Sequence, residues 1–385
     1  MQKLTIIVSG MIAADPHQGG ATWSILQYVL GLRRLGHDVY LIEPMQQPKE
    51  VDADWRLGTS ESARYFCDVI REFDLSHSAA LLLAGTRETV GLRYEELLAI
   101  AARTSVLFNV SGMLQDPALI ERVPRRIYLD LDPAFIQLWQ HEYHIDMRFT
   151  AHTHFVTVGL AIGLASCPVP TCRRSWIPTL QPVVLEEWPS GHRIETDAFT
   201  TVGNWRGYGS VEFEGQFYGQ KAHSLRPMFG LPRMTNERFA LALSIHPGEV
   251  TDLEQLAANG WTLLDPAQVA GTPDLYRSFI RGSRAEFGIA KSGYVASRCG
   301  WFSDRSVCYL ASGRPVIAQD TGFSEMLPCG EGLFSFETAD DFVAASAELA
   351  RDYERHALAA RAIAVTYFDS DKVLSRLLEI TALTG

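Results

Sequence analysis

Ser303, Asp304 and Arg305 stand directly before the apolar run Val307–Ala311, an order typical of the start of a helix. The free N–H groups and the positive dipole end of a helix bind phosphate groups well. An arginine in the first turn adds a fixed positive charge. The stretch is therefore a candidate phosphate site, although an ordinary helix cap beside a surface arginine has the same sequence.

Three more cations lie next to predicted strands of the second half. Arg206 follows the strand-like stretch 199–203, Lys221 lies in the next segment, and Lys291 ends the stretch 285–291. The carboxyl ends of parallel strands meet at one edge of a sheet, so these side chains are expected at a common rim, where they suit a diphosphate. The alternative is a set of solvated surface charges.

Acid–base candidates occur in the first half. Asp15 and His17 lie in the loop "ADPHQGG", and a histidine with a pKa near 7 can act as general base on a hydroxyl. A polar loop histidine without a role is the alternative. Asp130 and Asp132 close the apolar stretch "YLDLDP", and Asp132 is predicted to be a catalytic residue beside Asp15 and His17. No metal site is predicted, because hard cations need more oxygen ligands than this motif offers.

Buried-strand patterns alternate with helical patterns in two blocks, which predicts parallel sheets. A proline-rich connection over 167–198 separates the blocks. The fold class is therefore predicted as α/β, with two Rossmann-like doubly wound domains facing each other across a cleft. The expected strands are 4–9, 38–44, 80–85, 105–112, 126–133 and 154–159, then 199–207, 239–247, 260–266, 285–293, 315–320 and 332–336.

The expected domain boundaries follow from these blocks. An N-terminal domain spans 1–180, a C-terminal domain spans 181–365, and a closing helix over 366–385 is expected to pack back on the first domain. Before that helix, residues 339–368 are predicted to form one long helical segment.

The formal net charge of −11 argues against nucleic acid, and against an anionic membrane surface, as the main partner. No secretory signal opens the sequence, and no apolar run reaches the ~18 residues of a membrane span. The six cysteines are sparse and are interpreted as reduced thiols. A cytoplasmic protein without nucleic-acid partner or transmembrane segment is expected.

Several short motifs together resemble the two-domain B-type (GT-B) glycosyltransferases, closest to the retaining group 1 enzymes. They are "TVGNWR" (201–206), the Ala311-Ser312-Gly313-x-Pro315-Val316 turn, and the N-terminal pairs Gly19-Gly20 and Gly36-His37. The resemblance implies transfer of a sugar from a nucleoside-diphosphate sugar to a hydroxyl, or another nucleophile, of a small-molecule or glycan acceptor. It implies no cofactor and no metal.

The resemblance also completes the expected site. Acceptor-side residues in the cleft are Gly19, Gly20 and Asp130. Donor-binding residues are Gly203, Asn204, Arg206, Lys221, Lys291, Phe302, Ser303, Asp304, Arg305, Asp320, Thr321 and Gly322.

The sequence departs from the family at two positions. Two glutamates eight residues apart, one for the donor sugar and one for the ribose hydroxyls, are expected at positions 300 and 308. Gly300 and Cys308 stand there instead. Asp304 is the candidate to replace the ribose contact.

Other classes of protein compete with this interpretation. An NAD-dependent oxidoreductase is favoured by Glu43, which closes the second predicted strand, but the turn after the first strand lacks Gly-x-Gly-x-x-Gly spacing. A nucleotide-sugar epimerase or a phosphorylase on the same fold stays possible. A non-catalytic carbohydrate-binding protein would not need converging cations at 206, 221 and 305.

Overall fold

The computed structural model describes residues 2–49 and 54–383, which form two large, mainly parallel sheets with helices and one separate two-stranded hairpin. The last two residues of the predicted closing helix lie outside the described residues. The strands within these two ranges are β1 (Thr5–Ser9), β2 (Asp38–Met45), β3 (Ala79–Leu83), β4 (Thr89–Gly91), β5 (Val106–Val110), β6 (Arg125–Asp130), β7 (His154–Thr157), β8 (Trp176–Pro178), β9 (Thr196–Asn204), β10 (Val211–Phe213), β11 (Gln216–Tyr218), β12 (Phe239–Ser244), β13 (Thr262–Leu263), β14 (Ser283–Gly288), β15 (Val316–Gln319) and β16 (Leu333–Phe336).

Helices connect these strands and cover both faces of each sheet. They are α1 (Gly19–Arg34), α2 (Glu61–Glu72), α3 (Tyr94–Arg103), α4 (Pro117–Ile120), α5 (Phe135–His141), α6 (Lys221–Leu225), α7 (Val250–Ala258), α8 (Pro266–Ala270), α9 (Pro273–Gly282), α10 (Ser292–Ser297), α11 (Asp304–Ala311), α12 (Ala339–Arg351), α13 (Tyr353–Ile363) and α14 (Ser370–Leu383). Within the described ranges, no helix has both the length and the apolar character to cross a membrane.

The N-terminal sheet has the order β4-β3-β2-β1-β5-β6-β7-β8, and all its pairs are parallel except β3 with β4. Ile6 of β1 pairs with Val39 on one side and Val106 on the other. Strands β3 and β5 are buried along their whole length, which explains their continuous apolar sequences.

The C-terminal sheet is wholly parallel, with the order β13-β12-β9-β14-β15-β16. Its first strand, β9, lies in the middle, as β1 does in the other sheet. Ligands of such sheets bind beyond the carboxyl ends of the strands where the strand order reverses. The loop after β1 and the end of β9 meet at the interface between the two domains, as the contacts below show.

The chain returns to its first domain at the end. Val183 donates its N–H to the Phe368 carbonyl (2.8 Å), and Ser370 donates to the Val183 carbonyl (2.9 Å). Helix α14 then packs on α1, where a Cβ on Gly31 would lie 2.6 Å from the Leu374 side chain. The chain passes from one domain to the other near Val183 and again near Phe368, and these two crossings therefore run side by side.

Three local features differ from the sequence-based expectations. The long helix predicted over 339–368 is broken at Asp352, whose carboxylate accepts the N–H of Arg355 (3.2 Å) and caps α13. The proline-rich connection contains β8, which extends the sheet at its edge. The hairpin β10–β11 was not predicted, because its strands have only three residues each.

Candidate functional site

A cavity of about 180 Å³ lies between the two domains. The N-terminal domain contributes the loop after β1 and the first turn of α1. The C-terminal domain contributes the end of β9, helices α8 and α9, and the start of α11. The residues around it are His17, Gln18, Gly19, Gly20, Ala21, Val202, Gly203, Asn204, Pro266, Ala270, Tyr276, Asp304 and Arg305.

Gly19 and Gly20 allow the two domains to approach closely at this cavity. A Cβ on Gly19 would lie 2.2 Å from the Thr272 carbonyl oxygen, and one on Gly20 would lie 2.8 Å from the Tyr276 ring. Trp23, one turn further along α1, donates its indole N–H to the Pro273 carbonyl (2.8 Å). The glycine pair is thus an interdomain contact, and larger residues would force the domains apart.

Arg305 points into the protein interior. Its Nε donates to Glu286 Oε1 (2.6 Å) and its Nη1 donates to the Val202 carbonyl (2.9 Å). The ion pair is almost fully enclosed, with side-chain exposures of 9% for Arg305 and 0% for Glu286. Arg305 therefore fixes α11 to β9 and β14. The sequence signal for Glu286, an isolated acid inside an apolar strand, was overlooked.

Lys221, at the start of α6, is a buried cation of a different kind. Its Nζ donates to the Ile289 carbonyl (3.0 Å). A Cβ added to Gly203, a residue of the cavity wall, would lie 3.2 Å from this Nζ. Within the described ranges no carboxylate forms an ion pair with it. Burial lowers its pKa well below the usual range, and the positive charges of Arg305 and Lys291 lower it further. The more distant acids Glu286 and Asp304 act in the opposite direction. A buried lysine without an ion-paired carboxylate, next to a cleft, favours binding of an anion.

The first turn of α11 faces the cavity. Ser303 caps the helix, because its Oγ accepts the N–H of Arg305 (3.2 Å). Asp304 is the first helical residue and lines the cavity. Burial raises the pKa of its carboxyl, while the neighbouring Arg305 acts in the opposite direction. The site thus combines a helix N-terminus and a buried lysine with one acid suited to hydroxyl groups.

Lys291 belongs to a second cluster, which joins the two domains. Its Nζ lies 3.0 Å from Asp132 Oδ1, and the hydroxyl groups of Tyr208 and Tyr294 both donate to the same carboxylate. The ammonium also lies 4.0 Å from the centre of the Tyr208 ring, a cation–π distance. Burial lowers the pKa of Lys291, and the Asp132 charge opposes that shift. Lys291 and Asp132 neutralise each other's charge, so neither side chain is free for a ligand in this conformation.

Replacing Asp132 by asparagine is expected to lower the free energy of unfolding by about 2 kcal/mol, because Lys291 and two phenols lose a charged acceptor. Urea unfolding followed by tryptophan fluorescence measures the change. The matched control is Asp54→Asn at an exposed turn, which is expected to unfold like the original protein. Equal stability of Asp132→Asn and the control would show that the cluster contributes nothing to the domain interface.

The other predicted acid–base groups lie in three environments. Asp130 is fully buried and accepts hydrogen bonds from Gln137 Nε2 and Thr157 Oγ1 (both 2.8 Å), so it shapes the turn after β6 instead of facing the cleft. Burial raises its pKa to about 6.

His17 lines the cavity, is half-exposed, and places Nε2 2.9 Å from Glu61 Oε1. Asp15 is exposed and accepts a hydrogen bond from Gln18.

Glu43 holds the loop that carries Asp15 and His17. Both of its oxygens accept the Ala13 N–H (2.8 and 2.9 Å), and Oε1 also accepts the Ala14 N–H (2.6 Å). The side chain is fully buried, which raises its pKa to about 7. With both oxygens engaged by the backbone, Glu43 does not have the free carboxylate that an NAD ribose requires.

The remaining predicted donor residues divide between the cavity and other surfaces. Gly203 and Asn204 line the cavity, whereas Arg206 pairs with Glu249 on the outside of the domain. Phe302 is buried against Phe323 and Phe368, with ring centres 5.0 and 5.4 Å away.

The loop after β15 contacts the segment before α11. Asp320 accepts the Gly322 N–H (2.9 Å) and the Ser324 hydroxyl (2.7 Å), and Thr321 donates to the Trp301 carbonyl. Gly322 has a φ of +93°, and a Cβ there would lie 2.9 Å from the Arg298 carbonyl oxygen. This loop supports residues 298–301 and does not line the cavity.

Gly300 and Cys308 stand at the two positions where the family that this sequence resembles carries glutamates, and other segments of the protein occupy the space beside both. Gly300 has a φ of +75°, and a Cβ there would lie 2.9 Å from the Ala161 nitrogen of the N-terminal domain. Cys308 is buried under α1, where Gln27 Nε2 lies 3.8 Å from its sulfur. Segment 159–161 and helix α1 therefore occupy the space next to these positions.

In residues 2–49 and 54–383, no three His, Cys, Asp or Glu side chains gather in a way that could hold a metal ion.

Comparison with known proteins gives no match to a family model and no match to a curated protein. Solved structures do match over the whole chain. HepE of Anabaena in complex with UDP and glucose is 11% identical with a TM-score of 0.58, covering 98% of this chain and 99% of that one. A glycosyltransferase from Rickettsia africae is 12% identical with a TM-score of 0.51, covering 100% and 99%.

A third similar structure is an alpha-glucosyltransferase in complex with UDP and a 13-mer DNA, 10% identical with a TM-score of 0.62, covering 99% of this chain and 100% of that one. Taken together, these similarities define the fold of this chain as the two-domain B-type glycosyltransferase fold. The predicted fold class is confirmed.

These structures correct one expectation. Nucleic acid was excluded as a partner on net charge alone, and that exclusion is wrong, because structures with this fold are in complex with DNA. Net charge sums over the whole surface, whereas binding depends on the local potential in one cleft.

Proposed function

We propose that this protein is a glycosyltransferase that moves a sugar from a nucleoside-diphosphate sugar to a hydroxyl group of an acceptor. The observation that carries the proposal is Lys221, a buried ammonium without a carboxylate partner, next to the cavity between two domains of the GT-B fold. Solved structures with this fold contain UDP or UDP-glucose, which supports a nucleotide-sugar donor.

The proposed roles follow from the position of each side chain. Lys221 and the first turn of α11 stabilise the negative charge that develops on the departing diphosphate. Arg305, held by Glu286, orients that helix end. Asp304 accepts hydroxyl hydrogen bonds from the donor, and His17 is the candidate base for the acceptor hydroxyl. Lys221 and this helix end take over charge neutralisation, so we propose a metal-independent reaction without a cofactor.

The acceptor side is proposed to lie in the N-terminal domain. A cavity of about 580 Å³ opens at the carboxyl ends of β2, β3 and β5, with Arg87, Tyr94 and Asp116 among its walls. Such strand ends are where doubly wound sheets bind ligands. All six cysteines are free thiols, which supports the cytoplasm as the proposed location.

Thermal unfolding in the presence of nucleotides tests the donor. We expect UDP, GDP or dTDP at 1 mM to raise Tm by several degrees, because a ligand at about a hundred times its Kd adds about 2.7 kcal/mol of stability. NAD at the same concentration is expected to leave Tm unchanged. A shift in Tm with NAD alone would reject the transferase. Analysis of the products formed from the sugar conjugate of the stabilising nucleotide then separates transfer from epimerisation.

A further inference from the structure

A second interdomain cavity, of about 410 Å³, lies at the hinge, the place where the two crossings between the domains run side by side. Pro178 and Leu180 of the first crossing and Thr366 and Tyr367 of the second line it. Its volume is in the range of small-molecule sites. None of the residues assigned to the proposed transfer reaction lines it.

Both domains also contribute directly to its walls. Leu160 comes from the N-terminal domain, Met326 and Leu327 come from the C-terminal domain, and α14 forms one side. Leu160 is also the residue next to Gly300, where a Cβ would lie 3.1 Å from the Leu160 side chain. Because the walls belong to both domains, the shape of the cavity changes when the domains rotate relative to each other.

The chemistry of the cavity is asymmetric. Most of its wall is apolar, and it has two cations, Lys372 and Arg376, one helical turn apart on α14. Lys372 donates to the Val365 carbonyl (2.8 Å). The exposed side chain of Arg376 has no hydrogen-bond or ion-pair partner within the described ranges, and no acidic residue is among those that line the cavity. The guanidinium is therefore available to a ligand anion.

The second crossing has an unusual backbone. Residues Ala364–Phe368 form a π-helical turn, a geometry that is rare and is found frequently at functional sites. The turn leaves Tyr367, which lines the cavity, 36% exposed, and its neighbour Val365 38% exposed. Exposed apolar side chains at the mouth of an apolar cavity favour a ligand with an apolar body.

We propose that this hinge cavity binds a small amphipathic molecule whose apolar chain or ring ends in a single carboxylate or phosphate. The apolar part lies against Leu160, Met326 and Leu327, and the anion pairs with Arg376 and Lys372. Binding at the hinge biases the orientation of the domains and thereby the width of the first cleft. The proposal concerns binding and does not depend on the proposed transferase activity.

Isothermal titration of the full chain tests it with octyl phosphate and octanoate as probes. We expect one site for either amphiphile, with affinity reduced about tenfold in Arg376→Gln, since a charge-assisted hydrogen bond is lost. Thr366→Trp, an exposed position on the cavity wall, is expected to abolish binding by filling the space. Arg355→Gln on α13, whose guanidinium faces acids, is the matched control and is expected to bind normally.

Two reference ligands and one variant complete the design. Inorganic phosphate has the anion without the apolar chain, and 1-octanol has the chain without the anion. If either one binds as tightly as octyl phosphate, the proposal is overturned. Lys221→Met changes the other cleft and is expected to retain octyl phosphate binding. Loss of binding in that variant, or unchanged binding in Thr366→Trp, would place the amphiphile elsewhere and reject the hinge site.

Discussion

Replacing Arg305 by methionine is expected to lower the free energy of unfolding by about 3–5 kcal/mol, the cost of leaving one member of a buried ion pair without its partner. The stranded group is Glu286, which is fully buried and whose second oxygen, Oε2, already lacks a hydrogen-bond partner within the described residues. Denaturant unfolding gives the value directly, provided that the slope of the transition is unchanged.

Two further variants identify the cause of this loss. Arg351→Met removes an arginine that pairs with Glu348 on the surface, and such exposed pairs contribute about 1 kcal/mol or less. The double variant Arg305→Met/Glu286→Leu removes both charges and is expected to recover much of the stability. If Arg305→Met unfolds like Arg351→Met, the pair does not hold α11 in place.

Replacing Lys221 by methionine is expected to reduce kcat/KM with the donor by about 10²–10³-fold, the effect of removing one group that stabilises developing negative charge. Stability is expected to change in the opposite direction to that of Arg305→Met. Burying an ammonium without an ion-paired carboxylate is costly, so an apolar side chain of similar length should maintain or raise the free energy of unfolding.

The combination of lost activity and retained stability is the signature of a binding residue. Initial rates over a range of donor concentrations, together with urea unfolding of the same samples, measure both quantities. Lys3→Met, at an exposed pair with Asp38, is the matched control and should alter neither. A Lys221→Met protein that transfers sugar at the original rate would remove Lys221 from the site and with it the main support for the proposed function.

The strands and the start of α11 were predictable because their signals are local. Continuous apolar stretches such as Ala79–Leu83 need cover on both faces, and the Ser303 cap follows from the preference of serine for that position. The break at Asp352 was overlooked, although an aspartate that caps the following helix is a recognisable stop signal.

The partners of the charged residues were not predictable in the same way. Lys291 and Arg206 resemble Lys221 in sequence context, yet Lys291 pairs with Asp132, 159 residues away, and Arg206 pairs with Glu249. Gly300 is another example, since only the approach of Ala161 from the other domain shows why no side chain fits there.

The sequence by itself determined the two α/β blocks, the cap of α11, and the glycine pair at the start of α1, because propensity and periodicity depend on neighbouring residues. Only the tertiary structure decided which cation remains without a carboxylate partner. Each charge is compensated through space by residues far away in the chain, and the free energy of burial depends on that compensation. Lys291, Arg206 and Arg305 are paired, and Lys221 alone of these four cations is left for a ligand.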